Sequence, residues 1–351
     1  MADFTNDRLA VVDRKVDVPD LKTLEERFVK FRTRIRRALY GDTRKSMLDH
    51  VMMRETKEYA DDAHKRRLRE AGLTSVKSES RPAIMALARD GARLSGPSAE
   101  DDVYRLAAAL HAESPWMRDV SAWMMHQMLR HVAAGGRGFA LPPVILGGPP
   151  GIGKSHYART LAKLVGVPVR MIDVGGGTAG FRIVGTEKGW GTEQPGVPVE
   201  TILATKIANP VMVVDEIDKA GTAFSMRGTS SSLTTSLLQM LEPGTARHFE
   251  CPYHRIRFDM SRVVWVMTAN DVDRIPPPLR DRSRLFVLSK LTATDAVAHF
   301  DRFTSGLDDG HDLDRCRAFI SRMCALPEGI SLRQIQQLAD TVNAPTVRMA
   351  H

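Results

Sequence analysis

The sequence predicts an α/β protein in which a parallel β-sheet is covered by helices and has helical regions before and after it. Five short apolar runs follow residue 142 and alternate with helical segments, at 144–146, 169–172, 211–214, 263–267 and 285–288. These runs lack the alternation of a half-exposed strand, so each is expected to be buried on both faces. The residues before the first run and after Thr292 show helical periodicity instead.

Composition narrows the class of protein. A chain of 351 residues is long enough for two domains, or for one large domain with an appendage. No stretch approaches the ~20 consecutive apolar residues of a membrane-spanning helix, and the polar start gives no sign of a signal peptide. The three cysteines, Cys251, Cys316 and Cys324, show no disulfide or metal-binding spacing. We therefore expect a cytoplasmic protein that does not associate with membranes.

Residues 1–95 are predicted to form a charged helical region that serves recruitment or oligomerisation. Helices are expected over 20–40, 46–72 and 82–94, and the Ser-Gly-Pro-Ser segment at 95–98 breaks the pattern. In the first helix, apolar residues recur at spacings of three and four, at Leu21, Leu24, Phe28, Phe31, Ile35 and Ala38. This stripe is typical of a coiled coil or of a helix that packs on a neighbour, and both interpretations stay open.

The chain is basic, with a net charge of +8 and a pI of about 9.5. Much of the positive charge lies in two early segments, 31–37 and 64–69. A nucleic-acid surface and solvated helix faces both explain such runs. The second segment lacks aromatic residues for base stacking, which favours solvated faces.

A helical linker, 96–140, leads into the predicted sheet domain. Its two helices are expected over 99–112 and 117–132, and the glycine-rich segment 133–138 ends the second. The first apolar run of the sheet then leads into a phosphate-binding turn.

That turn, GPPGIGKS, fits the pattern G-x-x-x-x-G-K-[ST] and precedes a helical segment. Its backbone N–H groups and the positive end of the helix are predicted to hold a nucleoside triphosphate. Lys154 is expected to reach the β- and γ-phosphates, and the Ser155 hydroxyl to ligate Mg²⁺. The predicted nucleotide-binding residues are Gly148, Pro149, Pro150, Gly151, Ile152, Gly153, Lys154, Ser155 and His156.

Two carboxylates end the third apolar run. Asp215 and Glu216 follow the strand residues 211–214, at the carboxyl end where open α/β sheets bind ligands. Asp215 is predicted to hold Mg²⁺ through water, and Glu216 to orient or deprotonate the attacking water, which indicates hydrolysis. Asn270 follows the fourth run. Its side-chain amide either hydrogen-bonds this water and the γ-phosphate, or Asn270 is an ordinary turn residue.

These segments resemble the AAA+ ATPases and, among them, the ATPase module of Lon proteases. The matching stretches are GGPPGIGKS, VVDEIDKA, FSMRGTSSS, SLLQMLEP, FDMSRVVWVMTAN and IPPPLRDR, within residues 145–290, and a weaker resemblance continues to 340. The resemblance implies a three-layer P-loop NTPase domain over 141–290, a C-terminal helical lid over 291–351, and ATP and Mg²⁺ as cofactors. It also implies that Asn270 is the sensor-1 residue.

The resemblance assigns roles to arginines as well. Arg282 matches an arginine finger that reaches the γ-phosphate of the neighbouring subunit, with Arg280 and Arg284 as close alternatives. Arg333 matches the sensor-2 residue of the lid, although its spacing from Gly329 departs from the Lon pattern.

A loop with a tryptophan between two glycines matches the pore loop of Lon-like modules. Trp190 takes the position of the aromatic that grips a threaded polypeptide, and Lys188 lines the same pore. The alternative is a tryptophan that packs on its own domain.

Together these features predict a homo-oligomeric ring, of six subunits, that hydrolyses ATP and remodels or threads protein substrates. Eighteen residues follow Arg333 (351 − 333), so no protease domain and no peptidase activity are expected. Two other hypotheses are a nucleic-acid motor or loader, suggested by the basic helices, and a scaffold switched by ATP.

Overall fold

A computed structural model of the chain describes residues 8–174, 179–187, 193–219, 222–224, 230–307 and 313–343. In chain order its strands are β1 (Arg8–Leu9), β2 (Ala92–Arg93), β3 (Val144–Gly147), β4 (Val169–Asp173), β5 (Val211–Asp215), β6 (Thr222–Phe224), β7 (Ser230–Ser232), β8 (Phe249–Cys251), β9 (Ile256–Phe258), β10 (Val264–Ala269) and β11 (Arg284–Val287). Five of them form one parallel sheet in the order β11-β3-β10-β5-β4. They coincide with the five apolar runs, so the predicted parallel sheet is confirmed.

The described helices account for most of the remaining predicted segments, but the helix predicted over 82–94 ends at Asp90. Gly91 follows with φ 68°, and Ala92–Arg93 form strand β2. In chain order they are α1 (Leu21–Tyr40), α2 (His50–Glu70), α3 (Arg81–Asp90), α4 (Glu100–Glu113), α5 (Arg118–Ala133), α6 (Lys154–Val165), α7 (Ala179–Val184), α8 (Val197–Thr205), α9 (Leu233–Leu241), α10 (Pro243–Arg247), α11 (Pro277–Asp281), α12 (Ala293–Thr304), α13 (Leu313–Cys324) and α14 (Leu332–Asn343). None of the helices in the described ranges is long and apolar enough to cross a membrane.

Both faces of the central strands β3, β10 and β5 are buried, as the unbroken apolar runs predict. The prediction is wrong for the edge strands β4 and β11, which have a neighbour on one side only and keep exposed residues such as Arg170 and Val287. Alternate strand residues point to opposite sides because successive side chains of a strand alternate. One side of the sheet contributes Ile145, Met212, Val214, Trp265 and Met267 to a core. The other contributes Val144, Leu146, Val211, Val213, Val264 and Val266 to a second core, which α4, α5 and α6 complete. The result is a three-layer α/β domain.

The C-terminal helices form a separate cluster beside the sheet. α12, α13 and α14 bury Phe300, Ile320 and Ile335 among themselves, and this third core reaches Ile152 in the phosphate-binding turn. Thr292 caps α12 by accepting a hydrogen bond from the Asp295 amide. We call these three helices the lid.

The N-terminal region contributes to the core of the sheet domain. Residues of 11–18 and 73–94, among them Val11, Val16 and Ile84, pack in the same cluster as one face of the sheet. The helical pattern does break at 95–98, yet Gly96 lies so close to Phe139 that a Cβ would meet the Phe139 amide nitrogen at 2.5 Å. The buried Asn209 side chain bonds to Ser95 and to the Phe139 carbonyl. The packing therefore continues across residue 95.

α1 and α2 form a helical hairpin that departs from the predicted packing. Leu24 is buried, but Phe31 and Ile35 from the same stripe are 57% and 44% exposed. Towards the tip of the hairpin, α1 contacts the residues that follow it through hydrogen bonds from arginines rather than through the apolar stripe. Arg32 donates to the Met52 carbonyl and Arg36 to the Lys45 carbonyl. These contacts turn the distal part of the apolar stripe away from α2.

Candidate nucleotide site

The turn between β3 and α6, residues 148–155, lies in a cleft between the sheet and the lid. We call this turn the P-loop. The cleft has a volume of about 760 Å³, and its walls include the P-loop, the ends of β5 and β10, and the start of α14. The site therefore lies at the carboxyl ends of parallel strands, the usual ligand position in such sheets.

Glycines allow the P-loop to approach its neighbours closely. Gly151 has φ +81°, and a Cβ there would meet the Ser331 Cβ at 2.4 Å. Gly148 has φ +145°, and a Cβ would meet the Leu288 carbonyl oxygen at 2.4 Å. A side chain at either position would strain the backbone and force the surrounding atoms apart.

Lys154 joins the P-loop to the end of β10. Its ammonium group donates to the carbonyls of Gly148 and Pro149, at 2.7 and 2.8 Å, and to Asn270 Oδ1 at 2.9 Å. Burial lowers the pKa of Lys154, while Asp215, among the nearby carboxylates, opposes the shift. A cation thus lies where phosphates would enter.

Ser155 and Asp215 form a set of oxygen ligands at the start of α6. The Ser155 hydroxyl donates to Asp215 Oδ1 at 2.9 Å, and the Thr268 hydroxyl from β10 donates to the same oxygen. Hydroxyl and carboxylate oxygens suit Mg²⁺, which binds few protein ligands and keeps several waters. Within the described residues, no group of three or more His, Cys, Asp or Glu could hold a metal. The residues therefore fit an ion whose remaining ligands are phosphate and water.

Glu216 has an unusual backbone and a fully engaged carboxylate. Its φ of 61° is rare for a residue other than glycine, and its amide donates to Thr268 Oγ1. Oε1 accepts a hydrogen bond from Asn270 Nδ2 at 3.0 Å, and Oε2 pairs with Lys219 at 2.7 Å. This ion pair raises the pKa of Lys219. One amide thus contacts both the P-loop lysine and the acid.

Comparison with known proteins agrees with this arrangement. Residues 144–291 match the family model described as "ATPase family associated with various cellular activities (AAA)". The chain is 34% identical over 156 residues to the mitochondrial Lon protease homolog of Mus musculus, covering 44% of this chain and 16% of the relative. It is 37% identical over 148 residues to the Lon protease of Helicobacter pylori strain 26695, covering 42% and 17%. The match therefore spans about a sixth of these relatives.

The fold has a match among solved structures as well. A cryo-EM structure titled as the closed state of Hsp104 with ATPγS and FITC casein aligns with a TM-score of 0.51 and 15% identity. The alignment covers 92% of this chain and 57% of that one.

Residues 144–291 form an AAA+ module that is similar to the ATPase region of Lon proteases.

The structure brings some predicted site residues of this module together and keeps others apart. His156 and Arg333 line the same cleft as the P-loop and Asn270. Arg282 does not line this cleft, and its Nε lies 3.8 Å from the Glu242 carboxylate. Trp190 and Lys188 lie outside the described residues.

The two alternative finger residues of the module are both engaged locally. Arg280 donates to the carbonyls of Val272 and Ile275 on its own loop. The Arg284 guanidinium lies over the Phe286 ring, 5.4 Å from its centroid. Arg282 differs from both in that it lies beside a carboxylate, that of Glu242, at 3.8 Å.

Sequence reasoning missed four polar residues around this site. Thr268 bridges Asp215 and the Glu216 amide, and Asp218 accepts from the backbone amides of Asn270 and Asp271. Lys219 pairs with Glu216. These three residues could have been found from the sequence, because they belong to the segments TAN and DEIDK, which follow strands whose ends were predicted to meet.

The fourth missed residue, Trp116, had no local signal because its contacts are distant in sequence. Its indole N–H donates to the Ile152 carbonyl of the P-loop at 2.9 Å. Its ring packs edge-on against His299 of α12, with centroids 5.4 Å apart. The neighbouring Gly151 carbonyl accepts from the Leu332 amide of the lid at 2.8 Å. The P-loop is thus held by one donor from the linker and one from the lid.

Proposed function

We propose that the module binds ATP with Mg²⁺ and hydrolyses it in a ring of six subunits. One observation carries the proposal: a single hydrogen-bonded set links the P-loop lysine, the β5 acid and the β10 amide at one sheet edge. Lys154 bonds to Asn270, which bonds to Glu216. A P-loop cation and a positioned carboxylate are the components that hydrolysis of a phosphoanhydride requires.

Each residue has a defined task in the proposed reaction. Lys154 exchanges its carbonyl partners for phosphate oxygens, since a charged acceptor is stronger than a neutral one. Ser155 and Asp215 hold Mg²⁺, which when bound offsets charge on the phosphates. Glu216 accepts a proton from the attacking water, and Asn270 orients that water and the γ-phosphate. Arg333, which lines the cleft, contacts the phosphates from the lid.

The second half of the proposal is that the site is completed by a neighbouring subunit. Arg282 has a side chain 45% exposed and lies outside its own cleft, so it is available to another copy. A guanidinium in trans acts on charge that develops in the transition state. This arrangement supports a homo-oligomeric ring. We further propose that Trp190 and Lys188 line its pore and grip protein substrate.

We assign tasks to the regions of the chain on the same basis. Residues 141–290 bind and hydrolyse the nucleotide, and residues 291–351 form the lid. Residues 96–140 are a helical linker that leads into the nucleotide-binding domain, and residues 1–95 recruit partners or support oligomerisation. The protein acts in the cytoplasm in this proposal.

Steady-state ATPase and nucleotide-binding assays test the first half. Lys154→Ala should lose nucleotide binding, and Glu216→Gln should bind ATP but lose at least about 100-fold in turnover. Lys163→Ala, on the exposed face of the same helix, is the matched control and should retain both. Wild-type turnover by Glu216→Gln would show that another group activates the water.

Mixing experiments test the shared site. Arg282→Ala should bind ATP and lose turnover, and mixing it with Glu216→Gln should restore activity because some interfaces then contain both intact residues. If the wild-type protein hydrolyses ATP at the same specific rate when diluted to monomer, the finger does not act in trans.

Substrate stimulation tests the remodelling activity. ATPase turnover should rise with an unfolded protein in the parent and not in Trp190→Ala. Equal stimulation of both would remove the pore loop from the proposal and leave hydrolysis intact. A scaffold, the alternative function, would retain partner binding and its cellular effect in Glu216→Gln, whereas a motor would lose its effect.

A further inference from the structure

The hairpin of α1 and α2 carries most of the excess charge of this protein. Residues 21–70 contain fifteen Lys and Arg against nine Asp and Glu, a net +6 of the chain's +8. Within residues 27–41 there are six basic side chains and no acidic one. The described part of α1 packs on α2 and on the adjoining turn Arg44–Ser46. The hairpin therefore extends from the sheet domain as a basic arm.

An apolar stripe follows the outer half of α1. Phe31, Ile35 and Leu39 lie four residues apart, hence on one helical face, and are 57%, 44% and 69% exposed. Large apolar side chains spaced in this way normally face another helix. Here Arg32 bonds to α2 and Arg36 to the turn Arg44–Ser46, and the exposed fractions show that the described chain leaves much of the stripe uncovered.

The border of this stripe is positively charged. Arg27, Lys30 and Arg34 lie within about 100° of Phe31 around the helix, on the side opposite Arg32. All three are exposed, and none has an ion-pair partner among the described residues. A row of uncompensated cations thus runs beside a row of uncovered apolar groups.

We propose that this face of α1 binds an amphipathic helix with an acidic border, supplied by a protein partner. The apolar face of such a helix would cover Phe31, Ile35 and Leu39, and its carboxylates would lie beside Arg27, Lys30 and Arg34. From Phe31 to Leu39 the stripe is about 12 Å long, which matches a little over two turns of a helix.

The same features argue against two other occupants. A second copy of this face would place its three unpaired cations against those of the first, and like charges in contact oppose association. A nucleic acid would pair with the cations but leave Ile35 and Leu39 without a partner, since phosphate groups do not cover aliphatic side chains. Only a ligand with both apolar and acidic surface matches both rows.

Fluorescence anisotropy with defined probes tests the proposal. The first probe is a labelled synthetic helix of about five turns, with Leu on one face and Glu on both sides of that face, and the second is the same helix with Lys in place of Glu. The other two probes are double-stranded DNA and single-stranded RNA. We expect the acidic helix to bind the full chain, more weakly as salt rises, and the other probes to bind at least about tenfold more weakly.

Three variants locate the binding face. Phe31→Ser combined with Ile35→Ser should weaken the acidic helix about tenfold or more, while Tyr59→Ser should not, because Tyr59 is equally exposed but lies on α2. Arg34→Glu should weaken the acidic helix and strengthen its basic twin. Circular dichroism confirms that each variant keeps its helical content. Lys154→Ala should bind like the parent, which separates this surface from the nucleotide site.

Three results would overturn the proposal. The first is tighter binding of DNA or RNA that depends on the same face. The second is equal binding of both helices. The third is self-association, measured by light scattering, that the double variant abolishes while the acidic helix does not bind.

Discussion

Replacing Trp116 by Phe should weaken nucleotide binding although Trp116 belongs to none of the sequence motifs. The change removes the indole N–H that donates to the Ile152 carbonyl at 2.9 Å and keeps an aromatic ring against His299. Ile152 itself is buried. The bond from Trp116 fixes the Ile152 carbonyl and with it the orientation of this part of the P-loop, whose amides are proposed to bind the triphosphate.

The size of the effect follows from the hydrogen bond. Leaving a buried acceptor without a donor costs about 1–3 kcal/mol. Trp116 is half-buried, so water can partly replace it, and we take the lower end, about 1–1.4 kcal/mol. If this cost shifts the P-loop away from its binding geometry, nucleotide affinity falls about five- to tenfold.

Isothermal calorimetry with ADP measures this affinity, and steady-state kinetics measures KM and kcat. We expect KM to rise and kcat to stay near the parent value, since the hydrogen bond is present before and during the reaction. Trp123→Phe is the matched control because Trp123 packs on Phe286 and belongs to the same linker region. If Trp116→Phe lowers thermal stability but leaves ADP affinity unchanged, Trp116 only packs, and the inference that it positions the P-loop is wrong.

Three further predictions concern the same framework. Burial and Arg302 lower the pKa of His299 to about 4, so His299 resists protonation only when folded. The free energy of unfolding should therefore fall by about 2–3 kcal/mol as the pH drops from about 6.5 to 4. Urea unfolding at several pH values should show this dependence, and His299→Gln should reduce the dependence on pH. Lys219→Met removes the ion-pair partner of one Glu216 oxygen and should raise basal ATPase turnover by up to about fivefold, which is the most that an exposed ion pair contributes. A lower turnover would show instead that Lys219 assists hydrolysis. Asn209→Ala removes the partner of the buried Ser95 amide and of the Phe139 carbonyl, while the Ser95 carbonyl keeps its bond to the Phe139 amide. This change should cost about 2–3 kcal/mol in urea unfolding, whereas Asn343→Ala, at an exposed bond, should cost less than about 1 kcal/mol.

Much of the sheet domain was predictable because its signals are local. Residues 211–214 are apolar on every position, so both faces had to be buried, and the acids after them had to leave the core at the strand end. The P-loop pattern placed a lysine and a hydroxyl at the start of a helix. Strand ends of a parallel sheet meet at one edge, so the proximity of Asp215 and Asn270 followed from topology.

The N-terminal region was less predictable because its contacts are not local. Periodicity identified α1 as an amphipathic helix but not which part of its stripe would be covered. That depended on Arg32, which bonds to α2, and on Arg36, which bonds to the turn between the two helices. The packing of Val11 and Ile84 against the sheet could not be predicted either, because no sequence pattern relates these residues to the strand at 211–214.

The sequence by itself determined the order of strands and helices along the chain, the burial of the central strands and the chemical groups at the carboxyl ends of those strands. It did so because apolar runs and glycine spacing act within a few residues. Only the tertiary structure decided how those groups are paired. Asn270 between Lys154 and Glu216, and Trp116 on the P-loop, are contacts between residues 36 to 116 positions apart. Such contacts depend on how strands and helices pack together, and packing distances are not encoded in any single segment.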